Sequence, residues 1–109
     1  MDNYIKATKL SPNDILYRYS NPKKAQKQAY LYLGKSAILY KSTKEEKKYM
    51  ICNPKNDKWV HFGQLGYEDY TKHNDKMRRK NYLTRTASMR GNWKKDPYSP
   101  NNLSRNILW

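Results

Sequence analysis

The sequence predicts an α+β fold: a small three-stranded antiparallel sheet covered by one helix, followed by a basic helical C-terminal region. Three observations carry this. A stretch with capping signals at both ends runs from Pro22 to Leu33. Three short apolar runs then follow within twenty-six residues (Ala37–Tyr40, Tyr49–Cys52, Trp59–Phe62), separated by turn-forming clusters. Beyond residue 69 the chain becomes strongly basic and its apolar positions recur at helical rather than strand spacing.

Before the first helix, Ser11-Pro12-Asn13-Asp14 signals a turn, and Ile15-Leu16-Tyr17-Arg18-Tyr19 is expected as a short strand or an extended segment on the core. Ser20-Asn21-Pro22 supplies a capping side chain and a proline at the first helical position. Ala25, Ala29 and Leu33 recur at i, i+4, i+8, while Lys23 and Lys27 fall on another face. Gly34 stands where a left-handed residue would end the helix. Asn53 to Asp57 is a strong turn cluster between the second and third runs, so an antiparallel meander is the simplest pairing. Such a sheet needs a cover, and the Pro22–Leu33 helix is the candidate.

Residues 67–74 are expected as irregular chain or one short turn. Asn74 or Asp75 can cap a second helix reaching about Ala87, with a narrow apolar side made by Tyr82, Leu83 and Ala87. Gly91 to Tyr98 is expected as loop, and Ser99-Pro100 opens a final helix with Leu103 and Ile107 at i, i+4. The Ile107-Leu108-Trp109 triplet must bury its side chains on the protein's own core or on a partner. One domain spans residues 1–109, with helix and meander in 1–66 and the basic helical region in 67–109.

Charge is the dominant chemical property. The chain has 109 residues with 23 Lys and Arg against 9 Asp and Glu, a formal net charge of +14. Residues 1–69 hold 13 basic and 7 acidic side chains, whereas residues 70–109 hold 10 basic and 2 acidic ones. Concentration in one segment favours a polyanion-binding face over charge kept for solubility alone. Eleven Tyr and three Trp argue against a disordered basic tail, and most are expected to pack. No apolar run is long enough for a membrane span, and the N-terminus lacks a secretory h-region. A single cysteine, Cys52, cannot close an internal disulfide, which favours a reducing compartment.

The Lys76-Met77-Arg78-Arg79-Lys80 run lacks interleaved Glu partners, so its self-repulsion is relieved when phosphates neutralise it and counterions are released. Lys76 and Lys80 share one surface of the helix (i, i+4), Arg78 and Arg85 another (i, i+7). The expected phosphate contacts are therefore Lys76, Arg78, Arg79, Lys80 and Arg85, then Lys94 and Lys95, with Arg90 and Arg105 extending the field. Nothing matches a base-reading module, so binding with little sequence preference is expected. No cofactor is expected: Gly34-Lys35-Ser36 lacks the first glycine of a phosphate loop, that position being Ala29, and it follows a helix. Cys52, His61 and His73 do not have metal-ligand spacing. Glu68, Asp69, His73 and Asp75 form one acidic–His cluster. It reads either as a metal-dependent nuclease site or, with more weight, as a loop whose acids cap the next helix and pair with Arg78 or Arg79.

The segment Lys58 to Asp75, KWVHFGQLGYEDYTKHND, resembles the signature of a family of small basic proteins of nucleocytoplasmic large DNA viruses, the giant viruses among them. Arg78-Arg79, Tyr82-Leu83, Arg85, Gly91-Asn92-Trp93, Ser99-Pro100, Leu103-Ser104 and Ile107-Leu108-Trp109 continue the resemblance, with Tyr30–Tyr49 matching more loosely. It implies a viral protein carried in the virion with the genome, and hence located in the particle and in the cytoplasm or nucleus of the infected cell. The combined expectation is a non-enzymatic, sequence-independent DNA-binding protein that helps condense or organise a viral genome as a nucleoprotein. The alternatives are a virion structural component docking through Ile107-Leu108-Trp109 and, last, a nuclease using Glu68, Asp69 and His73. A homodimer is compatible with a chain of this size, since pairing adds core and charge density.

Overall fold

A computed structural model describes residues 4–109. Helix α1 (Pro22–Leu33) begins where Asn21 caps it, the side chain accepting from the Lys24 N–H at 3.2 Å, and ends at Gly34 with φ +104°. Strands β1 (Tyr40–Lys41), β2 (Lys47–Asn53) and β3 (Lys58–Gln64) form an antiparallel sheet in the order β1-β2-β3. The register pairs Tyr40 with Met50, Tyr49 with Phe62 and Ile51 with Val60. The β2–β3 connection is the Asn53–Asp57 cluster, where Asp57 adopts φ +57°. The fold is α+β.

After the sheet come a one-turn helix α2 (Tyr70–His73), the basic helix α3 (Lys76–Ala87) and a short α4 (Pro100–Leu103). Asp75 starts α3, accepting from the N–H groups of Met77 (3.0 Å) and Arg78 (3.2 Å). Ser99 starts α4 by accepting from the Asn102 N–H. Past Leu103 the winding widens through Ser104–Leu108, and the Trp109 N–H reaches back five residues to the Ser104 carbonyl at 3.1 Å.

One apolar cluster runs through the whole fold. Ala25 and Ala29 of α1, Leu39, Tyr49, Ile51 and Phe62 meet Leu103, Ile107 and Leu108 in it, all of them buried. The cover of the sheet is therefore not α1 alone: the C-terminal turn enters the same core. Ile107 and Leu108 are each 1% exposed, so of the two alternatives, own core or partner, burial on the protein's own core is the one observed, and these two side chains do not form a docking tail. Burying two aliphatic side chains contributes about 3–6 kcal/mol of transfer free energy, which a free tail would forgo.

Two expected strand segments differ. Ile15–Arg18 is a tight 3₁₀ turn, because the Asp14 carboxylate accepts the Leu16 N–H at 3.0 Å and fixes a cap instead of an extended entry. Ala37–Leu39 does not pair as strand. The buried Gln26 side chain donates to the Ala37 carbonyl at 2.6 Å and accepts from the Leu39 N–H at 2.8 Å, while the Leu39 carbonyl accepts from the Ala7 N–H at 2.9 Å. An amide on the buried side of α1 thus substitutes for a sheet neighbour, and β1 shortens to two residues.

Gly63 is the sheet's most constrained position. Its φ is +82°, and a Cβ there would stand 2.8 Å from Leu108 Cδ1 and 3.2 Å from Lys48 Cβ. Gly63→Ala is expected to lower stability by about 1–3 kcal/mol, through backbone strain and forced displacement of a packed leucine. Urea unfolding followed by tyrosine and tryptophan fluorescence measures it; an unchanged midpoint would refute the close approach.

Candidate nucleic-acid interface

Helix α3 docks by a polar and aromatic stripe rather than by an apolar one. Tyr82 stacks on Trp109 with ring centroids 4.2 Å apart and planes 10° from parallel. Arg105 donates to the Leu83 carbonyl and to Thr86 Oγ1, both at 2.6 Å, and Asn101 donates to the Thr86 carbonyl. Arg79 donates through Nε to the Trp109 main-chain oxygen, its guanidinium carbon 5.3 Å from the centre of the Tyr70 ring. Residues 79, 82, 83 and 86 therefore face the body of the protein, at i, i+3, i+4, i+7.

At about 100° per residue this orientation divides the basic side chains of α3. Arg78 and Arg85 lie on one flank, Lys76 and Lys80 on the other, with Met77 and Thr84 on the strip between them. All six are exposed. The five expected contacts of α3 thus do not form a single face, and Arg79, itself still exposed, leans onto the C-terminal segment. Lys94 and Lys95 sit in a short turn, Trp93–Lys95, past the end of α3. Lys94 Nζ lies 5.6 Å from the centre of the Trp93 ring, which the Arg105 guanidinium also approaches at 5.5 Å.

Two clefts flank Trp109. The first, of about 560 Å³, lies between the end of β3 and the Arg78–Arg85 flank of α3. The second, of about 450 Å³, lies between α1 and the Arg79 side of α3. Four basic side chains line the second cleft (Lys24, Lys27, Arg79 and Arg105), with no Asp or Glu side chain among the described residues around it. Lys24 also donates to Asn74 Oδ1 at 3.3 Å, tying α1 to the left-handed residue that ends α2. The α1 lysines are functional candidates that the reading of charge density by segment passed over. Their signal was present: Lys24, Lys27 and Gln28 recur at i, i+3, i+4, and all three line the cleft.

The acidic–His cluster is committed to structure. Asp69 is fully buried; Oδ2 accepts from Lys48 Nζ at 3.0 Å, and Oδ1 accepts from the Thr71 N–H at 3.0 Å and from its hydroxyl. Asp75 caps α3, and Glu68 pairs with Arg78 at 3.6 Å, both side chains about half exposed. His73 Nδ1 accepts from the Asp75 N–H at 2.9 Å, which puts the proton of a neutral ring on Nε2. Burial, with Arg78 nearby, lowers the His73 pKa and favours that neutral form. Among the described residues no group of His, Cys, Asp and Glu is arranged to hold a metal ion. The Asp75 cap of α3 and the Glu68–Arg78 pair are as expected of these acids, whereas Asp69 pairs with the buried Lys48 rather than with Arg78 or Arg79.

A family of unknown function (DUF5754) matches residues 37–86, which takes in the meander, α2 and all of α3 but its last residue. The chain is similar to that family over this stretch, while α1 and the C-terminal turn lie outside it. No curated protein and no solved structure matches the chain. Among the described residues no helix is long and apolar enough to cross a membrane.

Proposed function

We propose that the protein binds nucleic acid through its phosphate backbone with little sequence preference, and that its partner is DNA. The observation that carries this is the cleft in which Lys24 and Lys27 of α1 oppose Arg79 of α3, with no Asp or Glu side chain among the described lining residues. Three ion pairs join described residues (Lys41–Asp14, Lys48–Asp69 and Arg78–Glu68), so most of the 23 basic side chains remain available to an external anion. Clustered lysine and arginine without acidic neighbours bind phosphates chiefly by counterion release. Lys76 and Lys80, on the exposed α3 flank away from Arg78, extend the field beyond the cleft.

The resemblance to basic proteins of large DNA viruses supports a packaged viral genome as that DNA, and condensation or organisation of it in the virion as the role. A charge of +14 on 109 residues suits neutralisation of closely packed phosphates. The reading is of a binding protein rather than an enzyme.

Gel shift on duplex DNA with a salt titration tests it. Three phosphate contacts give a log–log slope of about −2.7, so affinity is expected to fall roughly 40-fold between ~50 and ~200 mM salt. Absence of binding at ~50 mM, or affinity indifferent to salt over that range, would overturn the proposal.

A further inference from the structure

The cleft between β3 and α3 has a different chemistry from the lysine-lined one. We infer that it is a site for one unpaired nucleotide, so that the protein holds single-stranded nucleic acid by a base as well as by phosphate. The inference rests on the phosphate-binding reading and adds a strand preference to it.

Three features converge there. Tyr67, just after the positive-φ Gly66, is 70% exposed, yet it lines the cleft. An exposed tyrosine beside a cavity offers a free ring face, and every base can stack on one. Across the cleft stand Arg78 and Arg85 on one flank of α3, seven residues and about 10 Å apart along the helix axis. Arg85 has no ion pair among the described residues and can meet a phosphate directly. Arg78 is paired at 3.6 Å with Glu68, which also lines the cleft, so a phosphate there exchanges with that half-exposed carboxylate. Gln64 and Asn81 supply amides, each both donor and acceptor, which suit a base edge without demanding one particular base.

Size and access then separate strands from duplexes. A volume of about 560 Å³ falls within the range of small-ligand sites. Bases of a duplex are stacked and paired, so entering such a cleft costs unstacking and unpairing, whereas a single strand presents them splayed. The lysine-lined cleft, by contrast, brings charge with no free aromatic face of comparable exposure: Tyr70 is under the Arg79 guanidinium, and Trp109 is stacked on Tyr82. The two clefts therefore divide the work, one serving backbone of any form and the other an unpaired base.

The test uses the full chain and three probes: a ten-residue oligothymidylate carrying one central 2-aminopurine, the corresponding duplex, and free thymidine monophosphate. The single strand is expected to bind ~10-fold or more tighter than the duplex at equal salt, with 2-aminopurine emission quenched on binding. Tyr67→Ala, a substitution at an exposed side chain, is expected to abolish that excess and the quench, while duplex affinity and the circular dichroism spectrum stay as in the parent. Weak, saturable binding of the mononucleotide, lost in the same variant, would also support the cleft. Equal affinity for both strand forms, with Tyr67→Ala changing neither, would overturn the base site and leave the phosphate reading standing. Absence of binding to all three probes would overturn both.

Discussion

Asp69→Ala is expected to cost about 3–5 kcal/mol of folding stability, the effect of stranding a buried charge. Lys48 and Asp69 are 3% and 0% exposed at their side chains, and the ammonium has only the Tyr19 carbonyl, at 3.3 Å, as a second partner among the described residues. Burial already pushes the Lys48 pKa down, against the upward pull of Asp69. The carboxylate also anchors a polar chain through the core. Thr71 bonds to Asp69, Ser20 Oγ lies 3.1 Å from Thr71 Oγ1, and the Tyr49 hydroxyl is 2.6 Å from Ser20. Burial pushes the Tyr49 pKa up, so that hydroxyl remains neutral and can donate to Ser20. The chain joins β2, the start of α1 and α2, which explains why loss at one residue should weaken three elements. A melting temperature lower by at least ~12 °C is expected for Asp69→Ala. The double variant Lys48→Met with Asp69→Leu should recover much of that loss, because it removes both charges. A single variant within ~1 kcal/mol of the parent in urea unfolding would show that the pair is not desolvated as described.

The largest functional effect is expected from the α1 lysines. Lys24→Gln with Lys27→Gln should reduce the salt slope of duplex binding by about 1.8, at about 0.9 for each phosphate no longer neutralised. If affinities converge at ~1 M salt, that corresponds to a fall of roughly 200-fold at ~50 mM. Both residues are exposed and carry no ion pair among the described residues. The substitution gives up only the exposed Lys24–Asn74 hydrogen bond, so stability is expected to change by less than about 1 kcal/mol. The matched control, Lys94→Gln with Lys95→Gln, removes the same charge from a turn that lines neither cleft and should weaken binding less. Equal reductions in the two pairs would mean that net charge, and not the α1–α3 cleft, governs affinity.

Much of the architecture was legible because its signals are local. Asn21 followed by Pro22, Gly34, the Asn53–Asp57 turn, Asp75 and Ser99-Pro100 each act within a few residues of chain, and each marks an element boundary observed in the fold. Only the Ile15–Arg18 turn was missed for a local reason, the Asp14 cap on the Leu16 N–H; the other misses were non-local. Gln26 has the sequence character of an ordinary helix surface residue, yet it lies buried and hydrogen-bonds the backbone of Ala37 and Leu39, eleven and thirteen residues away. Lys48 sits in a strand with no sequence sign that Asp69 will meet it.

The same division applies to the candidate site. Composition and spacing alone determined an α+β chain with a basic helix whose charges fall on two surfaces, since the angle between residues of one helix is set by covalent geometry and backbone hydrogen bonding. Only the tertiary structure decided which way that helix faces. Trp109 stacks on Tyr82 and its main-chain oxygen accepts from Arg79, and the burial of Ile107 and Leu108 anchors this end of the chain between α1 and the sheet. That packing brings Lys24 and Lys27 opposite Arg79 and opens a separate cleft beside Tyr67. The residues that meet there come from distant parts of the sequence, and such contacts depend on how the whole core closes.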